Sequence, residues 1–580
     1  MTYTVPTNEQ LFVLKHVVGI DELAQSERFA AAEPDMVAAI VDGVGRFAEA
    51  EFEPLYRVGD EKHPKIVDGE VKPTPGCKEA YQAFIENGWM TLAHPTEFGG
   101  QGLPSVLATV VLDALGGANM GFTLCPMLTG GSIESLIHHG SEEQQKTYLP
   151  KLISGEWTGT MNLTEPSAGS DVGALRATAE PIGDGKYKIK GTKIFITWGD
   201  HDMTDNVIHL VLARTPGAPA GTKGISLFLV PKYRLNADGT PGERNDAYAI
   251  ALENKLGIHI SPTCVMQFGD KDDCIGEMIG KEGGGMRAMF TMMNNARLNV
   301  GLQGVQIAER ATQQALEYAQ ERIQSARAGA ASRDSVAIIE HPDVRRMLMR
   351  SRALTQAIRA LVYYTLGQLD RRELGNAAAG QRVELLTPLA KAYGTDIGTE
   401  VASLNIQVHG GMGFIEETGA AQPYRDVRIA AIYEGTNGIQ AADLIGRKLP
   451  MDGGAVLASL LADIRAEAGE EAELMTLVAE IEKIAAWYAA DASIDDRLAG
   501  SYPFLTMLSV ATCGWLMNKE SKAAAKLLAD GEGDPKFMKM KIATARYYND
   551  VLVAEALGLA QSAKNGADAL YGLSDEELVA

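Results

Sequence analysis

Glu434 stands alone as an acidic side chain at the end of an apolar run, Ile429-Ala430-Ala431-Ile432-Tyr433, and Gly435 follows it directly. Thr436 and Asn437 come next, both suited to capping a helix, ahead of the apolar-periodic segment 439–445. A carboxylate so placed sits poorly hydrated on a sharp turn beside a helix N-terminus. Loss of hydration raises a carboxyl pKa toward neutrality, where the group accepts and returns protons. The helix start offers unpaired N–H groups to a phosphate or a developing oxyanion. Taken alone, the plainer reading wins, a solvated loop glutamate with a structural cap, so the chemistry needs support from the rest of the chain.

Leu163-Thr164-Glu165-Pro166-Ser167-Ala168-Gly169-Ser170-Asp171 is rich in small and hydroxylated residues. Such a stretch lets a backbone approach a planar or phosphorylated ligand, and equally well forms a plain turn into a β domain. Lys193-Ile194-Phe195-Ile196-Thr197-Trp198-Gly199 sets two aromatics around a hydroxyl at the end of a strand pattern. An aromatic there can stack on a flat cofactor while Thr197 bonds its edge, although strand aromatics are core by default. Gly283-Gly284-Gly285-Met286-Arg287-Ala288 fits a loose GxGxxA. A dinucleotide-binding unit needs a strand before that motif and a βαβ pattern after it, whereas helical periodicity follows here.

The elements that must position these residues change texture along the chain. Helical periodicity runs to about residue 157, with helices expected at 36–52, 77–89 and 104–115, and with connections at 97–103 and 116–119. Short β-branched runs at 187–196, 207–213, 225–230 and 264–268 predict a compact antiparallel β domain, with 232–246 as an excursion between strands. Helices return near Gly284 and are expected at 343–370, 384–405 and 438–447. The fold class is α+β and mostly helical. It comprises an N-terminal helical domain (1–156), a central antiparallel β domain (157–283), a C-terminal four-helix domain (284–450) and a further helical extension (451–580). The Met286, Met289, Phe290 and Met293 stripe is core, and the Ala- and Leu-rich extension is expected to pack against the rest or a partner subunit.

Composition narrows the function classes. With 75 acidic against 53 basic residues among 580 the net charge is −22, which argues against nucleic acid as the main partner. The five cysteines form no CxxC pair, so a zinc site or disulfide framework is not expected and a reducing compartment fits. No signal-like segment opens the chain, and 507–517 is too short to span a bilayer, so a cytoplasmic location is expected.

LTEPSAGSDV, KIFITWG, YAQERIQ, QVHGGMGF and IYEGTNGIQ, in that order across residues 35–450, resemble the acyl-CoA dehydrogenase family of flavoproteins. The length and the C-terminal extension resemble its large members, the bacterial 3-methylmercaptopropionyl-CoA dehydrogenases among them. The resemblance implies FAD as cofactor and an acyl-CoA thioester as substrate. It also implies an electron-transfer flavoprotein as acceptor and a homodimer. By resemblance Glu434 is the base that removes the α-proton, with its backbone N–H on the thioester oxygen. Leu163, Thr164, Phe195 and Thr197 would meet the flavin ring, and Thr436 would reach FAD from the catalytic turn. Arg322 would meet the FAD pyrophosphate of a neighbouring subunit, and Gln407, Gly410 and Gly411 the adenosine half. Ser170, Arg297 and Gly435 would lie along the substrate. Some members carry the base just before the arginine that matches Arg297; here that residue is Ala296, so the duty falls to Glu434. Asn162, Trp198 and Gly438 depart from the family's usual residues. A short, thioether-bearing acyl group is the expected substrate, with a broad- or long-chain fatty acyl-CoA as the alternative. An oxygen-using oxidase and a DNA-associated relative of the fold are the more distant rivals.

Overall fold

A computed structural model describes residues 2–580. The chain forms two compact units, Asp42–Ala296 on the one hand and residues 2–41 with Arg297–Ala580 on the other.

Within Asp42–Ala296, the strands arise where β-branched residues run together. Asn206–Arg214 and Ile225–Pro231 are buried on both faces, which is why they read as continuous apolar runs without alternation. They sit inside an eight-stranded sheet that passes from Ala247–Leu252 through Thr263–Phe268, Lys186–Thr197, Ile275–Ile279, Ile225–Pro231 and Asn206–Arg214 to Trp157–Asn162, with Thr178–Gly183 beside Lys186–Thr197. Neighbours are antiparallel except that Trp157–Asn162 runs parallel to Asn206–Arg214, from Trp157 opposite Asn206 to Asn162 opposite Val211, and that Thr178 bridges Arg214 in the same sense. Val211, Phe228, Val230, Ile189, Met266 and Phe268 fill the core of this sheet.

One local feature refines the expectation and another differs from it. The polar stretch 232–246 contains its own hairpin, Tyr233–Leu235 with Pro241–Arg244. The small residues at 116–119 do not end a helix: Ser105–His139 is one element, and Asn119 alone leaves helical geometry (φ −159°, ψ 90°). Asn119 restarts the helix itself, because its Oδ1 accepts from the Phe122 N–H at 3.2 Å, as an N-cap would. Ser105–His139 is also the single helix among the described residues long and apolar enough to cross a membrane, yet 89% of its most apolar window is buried inside the fold.

In the other unit, Gly285–Glu321 (from Arg297 onward), Pro342–Glu373 and Ala377–His409 are the long helices. A glycine seam lets the first and third approach backbone to backbone. A Cβ at Gly304 would lie 1.9 Å from the Gly394 carbonyl oxygen, and one at Gly301 2.5 Å from that of Ala390. The C-terminal helices pack onto this bundle through polar anchors as well as apolar area. Tyr548 and Tyr393 share a hydroxyl hydrogen bond at 3.0 Å, Arg382 reaches Asp463 at 2.8 Å, and Arg350 reaches Glu555 at 2.8 Å. Lys541, fully buried, joins Glu520 of Ser501–Asp530 to Glu9 near the N-terminus at 2.5 and 2.7 Å. All five cysteines are buried and free.

Candidate active site

The turn that carries Glu434 is built from two consecutive left-handed residues, Glu434 (φ 56°) and Gly435 (φ 82°). Glycine takes that conformation freely; a glutamate pays for it, and such strain persists where the surroundings over-determine it. Here the surroundings hold the carbonyls. Gln440 Nε2 donates to the oxygens of both Glu434 and Gly435 at 3.3 Å, and Arg297 Nε donates to the Glu434 oxygen at 3.4 Å. Thr436 then caps Asn437–Asp443, its side chain accepting from the Ile439 N–H at 3.3 Å. With the carbonyls tied back, the N–H groups of Glu434 and Gly435 have no partner among the described residues and remain available as donors.

The Glu434 carboxyl makes no hydrogen bond among the described residues. Burial pushes its pKa up to about 7, against the pull of the nearby Arg297 guanidinium and Lys391 ammonium. Both cations are buried, whereas Glu434 is half-buried. Arg297 is buried on the long helix, 4.0 Å from Asp443. Lys391 is fully buried on Ala377–His409, and desolvation lowers its pKa to about 8 while Glu434 holds it up. The glycine seam lies close behind both residues in sequence, so the bare helix contact brings one cation from each helix to the same turn. Asn437 does not cap the helix. It turns inward to accept from Lys391 Nζ at 2.9 Å and to donate to Asp396 at 2.8 Å.

Leu163, Thr164, Phe195 and Thr197 come together in the other unit, where a buried ion pair fixes their geometry. Lys193 donates to Glu165 at 2.8 Å and to the Leu163 carbonyl at 3.0 Å, and the Ile194 N–H donates to the Thr164 carbonyl at 2.9 Å. Glu165 also accepts from the N–H groups of Arg176 and Ala177, and these contacts, with Lys193, hold its carboxyl below the usual range despite burial. Phe195, with φ 60°, is 59% exposed, so its ring is presented rather than packed. The Thr164 and Thr197 hydroxyls, half-buried, have no hydrogen-bond partner among the described residues. An open aromatic face beside two unspent hydroxyls fits a flat, polar-edged ring such as a flavin. Trp198 is a core residue, its Nε1 donating to the Gly121 carbonyl at 3.1 Å. Ser170 lies exposed on the loop beyond.

Arg322, Gln407, Gly410 and Gly411 form a third group, at the far ends of Gly285–Glu321 and Ala377–His409. There Tyr318 stacks on His409 at 4.2 Å, and a Cβ at Gly410 or Gly411 would meet nothing within 4 Å. Arg322 and Gln407 are exposed. Arg322 lies roughly 37 Å beyond Arg297 along the helix at 1.5 Å per residue, so this group and the Glu434 turn are separate sites within one chain.

Sequence reasoning missed Lys391, Asp396 and Gln440. A lone lysine within the apolar stretch 385–393 was the available signal for the first: a charge on a buried face is rare without a role or a partner.

Models of the acyl-CoA dehydrogenase N-terminal, middle and C-terminal domains match residues 35–156, 160–270 and 283–449, and an acetyl-CoA dehydrogenase C-terminal-like model matches 456–574. The chain belongs to the acyl-CoA dehydrogenase family, whose members are FAD-dependent oxidoreductases. It is 45% identical to the 3-methylmercaptopropionyl-CoA dehydrogenase of Ruegeria pomeroyi, over 96% of this chain and 97% of that one. It is 37% identical to a butyryl-CoA dehydrogenase of Syntrophomonas wolfei, over 90% and 92% of the two chains. The fold is shared with an acyl-CoA dehydrogenase from Bacillus anthracis complexed with FAD (TM-score 0.75, 22% identity, 95% and 91% coverage).

Proposed function

We propose that this protein oxidises 3-methylmercaptopropionyl-CoA to the 2,3-enoyl thioester, with Glu434 as the base. The observation that carries the proposal is the Glu434 carboxyl itself: half-buried, without a hydrogen bond among the described residues, its pKa raised to about 7 by burial against the pull of two buried cations, Arg297 and Lys391. A carboxylate poised near neutrality takes an α-proton and releases it afterwards. The free N–H groups of Glu434 and Gly435 donate to the thioester oxygen as enolate character develops, which acidifies the α-carbon. Arg297 and Gly435 are assigned to the acyl-CoA at the catalytic turn, where Arg297 fixes the turn through its bond to the Glu434 carbonyl, and Ser170 of the other unit is assigned to the acyl-CoA as well. Leu163, Thr164, Phe195 and Thr197 of the one unit are assigned to the flavin ring of FAD; Thr436 of the other is assigned to FAD from the catalytic turn. Bound FAD supplies the acceptor for the β-hydrogen, which leaves as hydride.

Arg322, Gln407, Gly410 and Gly411, at the far helix ends, are assigned to the FAD of a second copy: Arg322 lies roughly 37 Å along the helix beyond Arg297, which acts on the Glu434 turn. A homodimer follows from that assignment. Electrons pass on to an electron-transfer flavoprotein, in the cytoplasm, where the free buried cysteines stay reduced.

The near-full-length likeness to the Ruegeria pomeroyi enzyme supports the thioether substrate over a plain alkyl chain. Steady-state turnover with 3-methylmercaptopropionyl-, butyryl- and palmitoyl-CoA tests it. The highest kcat/KM is expected for the thioether substrate and the lowest for palmitoyl-CoA. A preference of about tenfold or more for butyryl- or palmitoyl-CoA contradicts the substrate assignment.

A further inference from the structure

The C-terminal helices reach the catalytic turn through one continuous polar chain. Tyr502, at the start of Ser501–Asp530, donates its hydroxyl to Asp396 Oδ2 at 2.6 Å. The other oxygen of Asp396 accepts from Asn437 Nδ2 at 2.8 Å, and Asn437 Oδ1 accepts from Lys391 Nζ at 2.9 Å. Thr395 Oγ1 and the Ala392 carbonyl take further bonds from the same Asn437 amide, at 3.0 and 3.2 Å. The Asn437 side chain is therefore fixed, with its oxygen toward Lys391 and its nitrogen toward Asp396. The end of this chain is an ammonium that is fully buried and acts on the Glu434 carboxyl.

We propose that Tyr502 is a positioning residue for the reaction: through Asp396 and Asn437 it sets where the Lys391 ammonium stands relative to Glu434, so the C-terminal segment governs the strength of the base. The proposal rests on the assignment of Glu434 as the base and adds a role for a segment that otherwise only packs on the bundle.

The charged and titratable groups around Glu434 define what the chain can change. Arg297 faces it from Gly285–Glu321 and Lys391 from Ala377–His409, and Tyr433 adjoins it on its own turn. Asp443 and Arg447 act on Arg297 rather than on Glu434. Arg428 acts on both Asp396 and Tyr502. Of these, Lys391 alone is hydrogen-bonded into the path from Tyr502. Its positive charge favours the ionised carboxylate, so displacing or removing it makes Glu434 a base that ionises only at higher pH.

The test is the rate of anaerobic flavin reduction against pH in the full-length, FAD-loaded protein, with 3-methylmercaptopropionyl-CoA and butyryl-CoA as probes. Lys391→Met is expected to move the pH midpoint upward by about 0.5 or more, and Tyr502→Phe to move it the same way by less. Tyr502→Phe added to Lys391→Met is expected to produce no further shift, because both changes act through the same ammonium. A merely structural Tyr502 would lower the melting temperature and leave the midpoint unchanged. An unchanged midpoint in Tyr502→Phe, or shifts that simply add, overturns the proposal. Tyr502 is partly exposed and phenylalanine keeps its ring, so this variant decides the matter even if Lys391→Met yields no holoprotein. Glu434→Gln separates the two levels. If it still reduces flavin, the base assignment has failed; if it is dead while Tyr502→Phe keeps the wild-type midpoint, the coupling alone has failed.

Discussion

Glu434→Gln is expected to keep FAD and bind acyl-CoA while slowing anaerobic flavin reduction by about 10³-fold or more. A positioned general base accounts for roughly 10²–10⁴ of an enzyme's rate, and an amide of the same shape cannot accept the proton. The backbone survives the change. The Glu434 carbonyl keeps its bonds from Gln440 and Arg297, and the two N–H donors of the turn are unaffected. No hydrogen bond to the carboxyl is lost among the described residues, because none exists. The neutral side chain also relieves the cost of holding a charge in a partly desolvated place, so stability should hold or rise slightly. Stopped-flow bleaching of the flavin, with a melting curve beside it, checks both halves of the expectation. Normal bleaching in the variant removes Glu434 from its role.

Lys193→Met is expected to have the largest effect on stability. Lys193 and Glu165 are both buried, and the ammonium also holds the Leu163 carbonyl. Removing one partner of a buried pair leaves the other charge uncompensated, which costs about 3–5 kcal/mol. Glu165 retains two backbone donors, so the lower end of that range applies. For a unit of this size the loss corresponds to a fall in Tm of roughly 6–12 °C. Because the same contacts hold the Leu163-Thr164 backbone beside the strand that carries Phe195 and Thr197, flavin content after purification should fall as well. The double variant Lys193→Met with Glu165→Leu should recover much of the Tm, since it removes the stranded charge, without recovering the flavin. Thermal denaturation and the ratio of flavin to protein absorbance read these outcomes.

The parts of the molecule that were legible in the sequence are those whose cause is local. The strands Asn206–Arg214 and Ile225–Pro231 lie within a residue or so of the runs 207–213 and 225–230, because a strand buried on both faces must be continuously apolar. The turn at Glu434 was visible as a lone acid between an apolar run and a capping threonine, but the role of that acid was legible only with the family motifs that precede it. Features set by distant partners were not visible. Gly116-Gly117-Ala118-Asn119 looks like a connection, yet these residues are small because they are buried within Ser105–His139, and Asn119 restarts the helix with its own side chain. Asn437 carries the signature of a cap, but a buried lysine 46 positions earlier claims its oxygen. Tyr502 lies 106 positions from the aspartate it bonds, and nothing in the local pattern of either residue announces the pairing. The parallel pairing of Trp157–Asn162 with Asn206–Arg214 is likewise a matter of topology rather than of side-chain period.

The wild-type rate of anaerobic flavin reduction as a function of pH tests most directly whether one carboxylate of raised pKa starts the reaction. The base must be ionised to act, and its folded pKa lies above the ordinary carboxylate range, so the rate should be low in acid and climb through a midpoint near 7. It should then level off. A rate that is flat from about pH 5.5 to about 8.5, or one that is already at its plateau at about pH 5, would contradict the account, because neither fits proton removal by a carboxyl group whose pKa is raised to about 7.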